Sequence, residues 1–162
     1  MDEYHHLPDY PDHLSGTAVL TRMLDGLGFR FYWATEGLRA EDYAFRPAKD
    51  TMSIGELVAH VWELVNWVSS SALKKPYEKP KDGPAARAEA LSIIHDLRET
   101  LIAMSDKDLD RLRIRDRPFW NIVNGPLSDA LTHTGQINSF RRLAGNPVAG
   151  ANVFLGEPPK KS

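Results

Sequence analysis

From Leu20 to Leu38 the apolar side chains Leu20, Leu24, Leu27, Phe31, Ala34 and Leu38 follow one another at steps that alternate between four and three residues. That spacing lines one stripe of an α-helix and does not fit the two-residue period of a strand. It is the seam of a helix that packs in a bundle, and it predicts a first helix over about 16–38. Three further segments carry stripes of the same kind. Ser53-Ile54-Gly55-Glu56 has the form of a capping box, with Ser53 as N-cap and Glu56 reaching back, and Leu57, Val61, Leu64, Val65 and Val68 continue from it to about Leu73. Pro84 opens a third helix to about Met104, with Leu91, Ile94, Leu97, Leu101 and Met104 as its inward stripe. The last helix runs from Pro126 to Gly145: Asn124-Gly125 turns the chain, Pro126 suits the first helical position, Gly145 ends the helix and Pro147 forbids its resumption. No strand run and no internal repeat compete with this reading, so the expected class is all-α, a four-helix bundle. The connection between the first two helices has about fourteen residues, which at roughly 3.3 Å each could run the length of a bundle, so a crossover there is allowed.

A chain of 162 residues, 42% of them hydrophobic, is long enough for one sizeable core. One domain is expected over 15–147, between an N-terminal tail at 1–14 and a C-terminal tail at 148–162. A formal net charge of -2 with no concentrated basic block offers nothing to nucleic acid or an anionic membrane. No apolar run is long enough to span a bilayer, and the first residues lack the basic start and apolar segment of a signal peptide, so a cytoplasmic location is the default. The absence of cysteine excludes disulfides, Cys-based zinc sites and a cysteine nucleophile.

Several residues read as structural. His5, His6 and His13 lie in a tail or surface strap and are more often solvated than ligating. Gly26 and Gly28 inside the first helix suggest close approach of a neighbouring helix or ligand, or are simply tolerated. Tyr32 and Trp33 read as core or rim, and His95 as the edge of the third helix. Ser105–Arg117 is a charged connection with one short turn near Asp106–Leu109, and Val153, Phe154 and Leu155 are positioned to strap the C-terminal tail to the body.

The chemistry concentrates in the last helix. Asp129 and His133 stand four residues apart and therefore project from one face, which also carries Gln136, Ile137 and Phe140. A carboxylate and an imidazole beside apolar side chains need partners, and a metal ion is one. A third ligand has to come from elsewhere. His60, beside Leu57, Leu64 and Trp67 on the second helix, is the candidate, although a histidine in that position, taken alone, is more often a satisfied core residue than a ligand.

The chain resembles the DinB/YfiT-like metalloenzyme family. The residues that carry the resemblance are Phe45-Arg46-Pro47, Ser53-Ile54-Gly55-Glu56-Leu57 leading to His60, and His133-Thr134-Gly135-Gln136 followed by Arg141-Arg142-Leu143-Ala144-Gly145-Asn146-Pro147. The resemblance implies a metal bound by one histidine of the second helix and two residues, four apart, of the last. Here those positions are His60, Asp129 and His133, with Asp129 where the family has a histidine. Two imidazoles and one carboxylate are a competent set for zinc, nickel, manganese or ferrous iron, and the carboxylate lowers the site's charge by one and shifts preference toward oxygen donors. Glu63, one turn beyond His60, is a candidate acceptor for the His60 ring or a general base, with Gln136, Trp67 and Tyr32 as candidate pocket walls.

Two functions are then expected. The first, implied by the resemblance, is a metal-dependent S-transferase or hydrolase acting on a small molecule, with a low-molecular-weight thiol as partner, in a homodimer. The second is a non-catalytic bundle, stress-related or dimerising, with a degenerate metal site in which Asp129 and His133 form a buried hydrogen-bonded pair. A ferritin-like di-metal site is disfavoured because paired Glu-x-x-His motifs are missing.

Overall fold

The structure, a computed structural model, describes residues 3–148 and 150–160. Its elements in chain order are α1 (Gly16–Thr35), α2 (Ala40–Ala44), α3 (Ile54–Ala72), α4 (Gly83–Ile102), α5 (Asp106–Arg111), a two-residue hairpin of β1 (Arg113–Ile114) and β2 (Arg117–Pro118), α6 (Trp120–Ile122) and α7 (Ser128–Leu143). The class is all-α. Among the described residues no helix is long and apolar enough to cross a membrane.

The helices begin where side chains can cap them. Ser15 Oγ accepts from the Ala18 N–H at 3.1 Å and Asp82 Oδ1 from the Ala85 N–H at 2.8 Å. At α3 the expected capping box is complete: Ser53 Oγ accepts from Glu56 N at 3.2 Å, and Glu56 Oε2 from Ser53 N at 2.7 Å. Gly145, at φ 76°, ends α7 as expected; the N–H groups of Gly145 and Asn146 return to the carbonyls of Arg142 and Arg141 at 3.2 and 3.0 Å. The first helix is shorter than its stripe. It stops at Thr35 because Gly37 turns to φ 67°, and Leu38 reaches the core from the loop.

Leu24, Phe31, Leu57, Leu64, Leu97, Leu101 and Ile137 are all buried in one core. Around it, α1 packs on α4 and α7, and α3 packs on the same two helices. Cross-helix bonds give the directions. Arg98 Nε donates to Asp25 at 2.8 Å and Arg87 Nε to Thr35 Oγ1 at 2.9 Å, so α1 and α4 run antiparallel. Burial pushes the Asp25 carboxyl up, and Arg98 opposes that shift. His60 meets His133 while Leu64 and Trp67 line a hollow with Asp129 and Gly125, so α3 and α7 are antiparallel. Gly55 and Gly83 both abut Tyr43, which places the starts of α3 and α4 at the same end. These two helices are parallel, and the crossover is therefore the connection 73–82, not the one between the first two helices. Lys74, at φ 58°, reverses the chain after α3. It then runs back along the helix, with Lys75 N–H on Ser69 O at 3.1 Å and Tyr77 N–H on Asn66 Oδ1 at 3.1 Å, while Tyr77 Oη donates to Asp96 of α4.

Three further expectations are corrected. A hairpin pairs Arg113 with Pro118 and Ile114 with Arg117, too short to leave an alternating signal. The group that closes on α1 at a glycine is neither helix nor ligand but the buried Tyr4 of the N-terminal strap, whose ring leaves no room for a Cβ at Gly28. Val153, Phe154 and Leu155 do not strap the C-terminal tail; they are exposed, and the tail is held to the N-terminal strap by Leu7 N–H on Gly156 O at 3.0 Å, while an Asn152–Glu157 bridge closes a turn within the tail itself.

One end of the molecule is organised around buried Arg141. Its guanidinium donates to the carbonyls of Ala34 at 3.0 Å, Glu36 at 2.8 Å and Asn146 at 2.8 Å. Asn146 in turn donates to Gly37 O at 3.0 Å and Asp42 Oδ2 at 2.6 Å. Asp42 is buried, and the Arg39 guanidinium, with the Arg39 N–H and Asn146, holds its carboxyl well below the usual carboxylate range. Because the folded value is depressed, this stabilisation is present above the unfolded pKa near 4 and is lost as pH falls below it. Asp42→Asn is expected to cost about 1–3 kcal/mol at pH 7 and to flatten the acid limb of stability below about pH 4, measured by urea unfolding across pH. Arg141→Met, which strands the α1 carbonyls, is expected to cost about 2–4 kcal/mol in the same assay.

Candidate metal centre

His60 projects from the second turn of α3 and Asp129 and His133 from successive turns of α7, so the antiparallel packing of these helices brings all three together. Their ligand atoms lie within 4.8 Å of one another. His133 Nε2 is 3.4 Å from Asp129 Oδ1 and His60 Nε2 is 3.7 Å from Asp129 Oδ2. The imidazoles meet edge to face with centroids 4.8 Å apart. The site lies at the outer edge of the α3–α7 seam: the His133 side chain is 16% exposed, that of His60 32% and that of Asp129 48%. Asp129 is thus half open to water, and the cost of an unpaired carboxylate against apolar neighbours, expected from the sequence, does not arise.

Each imidazole is oriented by a residue three positions further along its own helix. His60 Nδ1 lies 3.1 Å from Glu63 Oε2, and His133 Nδ1 lies 2.7 Å from the amide oxygen of Gln136. With a proton on Nδ1 each ring would donate to its acceptor and leave Nε2, the nitrogen nearer Asp129, free for a metal. Oxygen partners on the far nitrogen are the usual means of fixing a metal-ligating histidine. Glu63 is thus the acceptor beside His60, at the ring nitrogen turned away from Asp129. Gln136 is an orienting acceptor and not a pocket wall; the signal for it was the same three-residue spacing that links His60 to Glu63.

The donor set fits a divalent ion. Bonds of about 2.0–2.2 Å in a tetrahedral shell separate neighbouring ligand atoms by roughly 3.3–3.6 Å; here each imidazole lies at 3.4 or 3.7 Å from a different Asp129 oxygen, and the three ligand atoms span up to 4.8 Å, so a shared ion would draw them together. Beside the centre, a hollow of about 330 Å³ is lined by Leu64, Trp67, Asn124, Pro126, Asp129 and Thr132. Gly125, at φ -97° and ψ -108°, kinks the turn Val123–Leu127 and so forms the rim; Pro126 sits in that turn and not, as expected, at the first position of the last helix, which begins at Ser128. The larger cavity, about 720 Å³, lies elsewhere, between α1, α5 and α6; Leu20, Met23 and Phe119 line it and no member of the triad does. Its Asp106 is already engaged by the Gly16 and Thr17 N–H groups at 3.3 and 3.0 Å.

The remaining histidines stand apart from the centre. His5 packs on Trp33, whose indole N–H donates to the His5 carbonyl at 3.2 Å, and His95 lies 3.9 Å from Glu3. Tyr32 is buried near that strap and does not line the hollow. Known protein-family models, curated proteins and solved structures give no match to this chain.

Long-range proton–nitrogen NMR at pH 8 is expected to show His60 and His133 as Nδ1–H tautomers in metal-free protein. Gln136→Ala should shift His133 to a tautomer mixture and leave His60 unchanged.

Proposed function

We propose that this chain is a four-helix bundle of the DinB/YfiT-like kind, and that His60, Asp129 and His133 hold one divalent metal ion that serves a small-molecule transferase or hydrolase. The observation that carries the reading is the convergence of two preoriented imidazole nitrogens and one carboxylate from separate helices within 4.8 Å. The residues Arg141 and Asn146, which belong to the motif that carries the resemblance, bond the end of α1 and support the same assignment.

A bound ion would supply Lewis acidity to a water, a substrate oxygen or the thiolate of a low-molecular-weight thiol. Asp129 offers a hard oxygen donor and one negative charge, which favours zinc, manganese, nickel or ferrous iron over softer ions. His60 and His133 offer their Nε2 atoms because Glu63 and Gln136 occupy the opposite ring nitrogens. Glu63 therefore acts as an orienting acceptor for His60 and not as a general base. The hollow beside Asp129 is the place for a small organic substrate, with Trp67 as its apolar wall. The enzyme works in the cytoplasm as a homodimer in this reading. The non-catalytic alternative gains nothing from the geometry: it calls for a buried, hydrogen-bonded Asp129–His133 pair, and Asp129 is half exposed at 3.4 Å.

Protein purified without a histidine tag should contain near-stoichiometric metal by elemental analysis, or take it up on reconstitution. His60→Ala should lose it, and Asp129→His should bind zinc at least tenfold more tightly. Protein that remains metal-free after reconstitution supports the non-catalytic bundle instead.

A further inference from the structure

The hairpin between α5 and α6 presents a side chain that the fold does not need. Ile114 pairs with Arg117, so Arg115 and Asp116 form a two-residue loop, and Arg115 takes φ 54° at its first position. That position ordinarily belongs to glycine, and a long L side chain is strained there. The Arg115 guanidinium lies 5.3 Å from the centroid of the Trp67 ring. Among the described residues Arg115 has no carboxylate partner. Its neighbour Arg113, by contrast, is committed to the carbonyls of Asp110 and Leu112 at 2.6 and 2.9 Å.

Trp67 connects this arginine to the candidate metal centre. It follows His60 by two turns on α3, about 10 Å along the axis, and it lines the hollow that reaches Asp129. A guanidinium stacked on an indole keeps its in-plane N–H groups free, in the fork that binds carboxylate or phosphate. We infer that Arg115 is the anion-binding, specificity-determining residue of this site. Its substrate is a small molecule that meets the metal at one end, lies with a flat or apolar body against Trp67, and carries a carboxylate or phosphate at the other end. This assignment rests on the metal-binding reading above.

The test uses full-length protein loaded with cobalt(II) and three probes that engage a metal through a hydroxamate: benzohydroxamate, 4-carboxybenzohydroxamate and 4-phosphonobenzohydroxamate. Binding is read from the cobalt visible spectrum. The wild-type protein is expected to prefer at least one anionic probe over benzohydroxamate by tenfold or more, and the better of the two identifies the anion. Arg115→Gly should keep its cobalt spectrum and its melting temperature, since glycine suits the turn, yet lose the preference; Arg115→Lys should keep part of it. Equal binding of all three probes by cobalt-loaded wild-type protein, or a preference that survives Arg115→Gly, overturns the assignment of Arg115 and leaves the metal site standing. Failure of wild-type protein to bind cobalt overturns the metal site, and the anion assignment with it.

Discussion

The contact on which the architecture leans is the buried guanidinium of Arg141. An arginine with 1% exposure is costly to desolvate, and burial indeed pushes its pKa down against the pull of Asp42 and Glu36. The cost is offset because the last carbonyls of α1 would otherwise be buried without donors. One side chain thereby satisfies the end of α1, seats the C-terminus of α7 beside it, and through Asn146 draws in α2, which carries Asp42. Two stretches about a hundred residues apart in sequence, 34–42 and 141–146, meet at this one group.

The candidate metal centre depends on that anchorage at a distance. Arg141 holds the far end of α7 against α1, while Ile137, fully buried, presses the middle of the same helix into the core. The first turns of α7 are then presented to α3 in a fixed register, so that Asp129 and His133 face His60. Slippage by one helical turn along the seam would put Asp129 where His133 stands and break the convergence. The final adjustment is local: Glu63 and Gln136 each act on an imidazole of their own helix and need no distant partner.

This division explains what the residues disclosed before the structure. The stripes from Leu20, Leu57 and Ile94 onward, the Ser53–Glu56 capping box and the Gly145 stop are local patterns, and each is found where its spacing puts it. Helix periodicity puts Asp129 and His133 on one face, but it cannot say which helices pack together, and the expectation that His60 meets them rests on the family resemblance. The path of the chain was not legible. Lys74 adopts a left-handed conformation with no glycine to announce it, so nothing in the sequence marks the connection after α3 as the crossover, while length merely allows one before it. Arginine is ordinarily a surface residue, so Arg141 gave no sign of its burial, and the exposure of Asp129 depends on the kinked turn before α7, which has no periodic signature.

The crossover has a consequence for length. From the level of Gly55 to Leu73, α3 rises about 27 Å, and the chain from Leu73 to Gly83 must cover that span in ten steps. With Pro76 and Pro80 in it, a polyproline-like path delivers about 31 Å. The segment is therefore close to taut, a ruler and not a slack loop. Extra residues could bulge outward, whereas the loss of two would shorten its reach to about 25 Å and drag α4 along α3. Since α3 also carries His60, the measure of this strap sets how the two parallel helices are phased beneath the site.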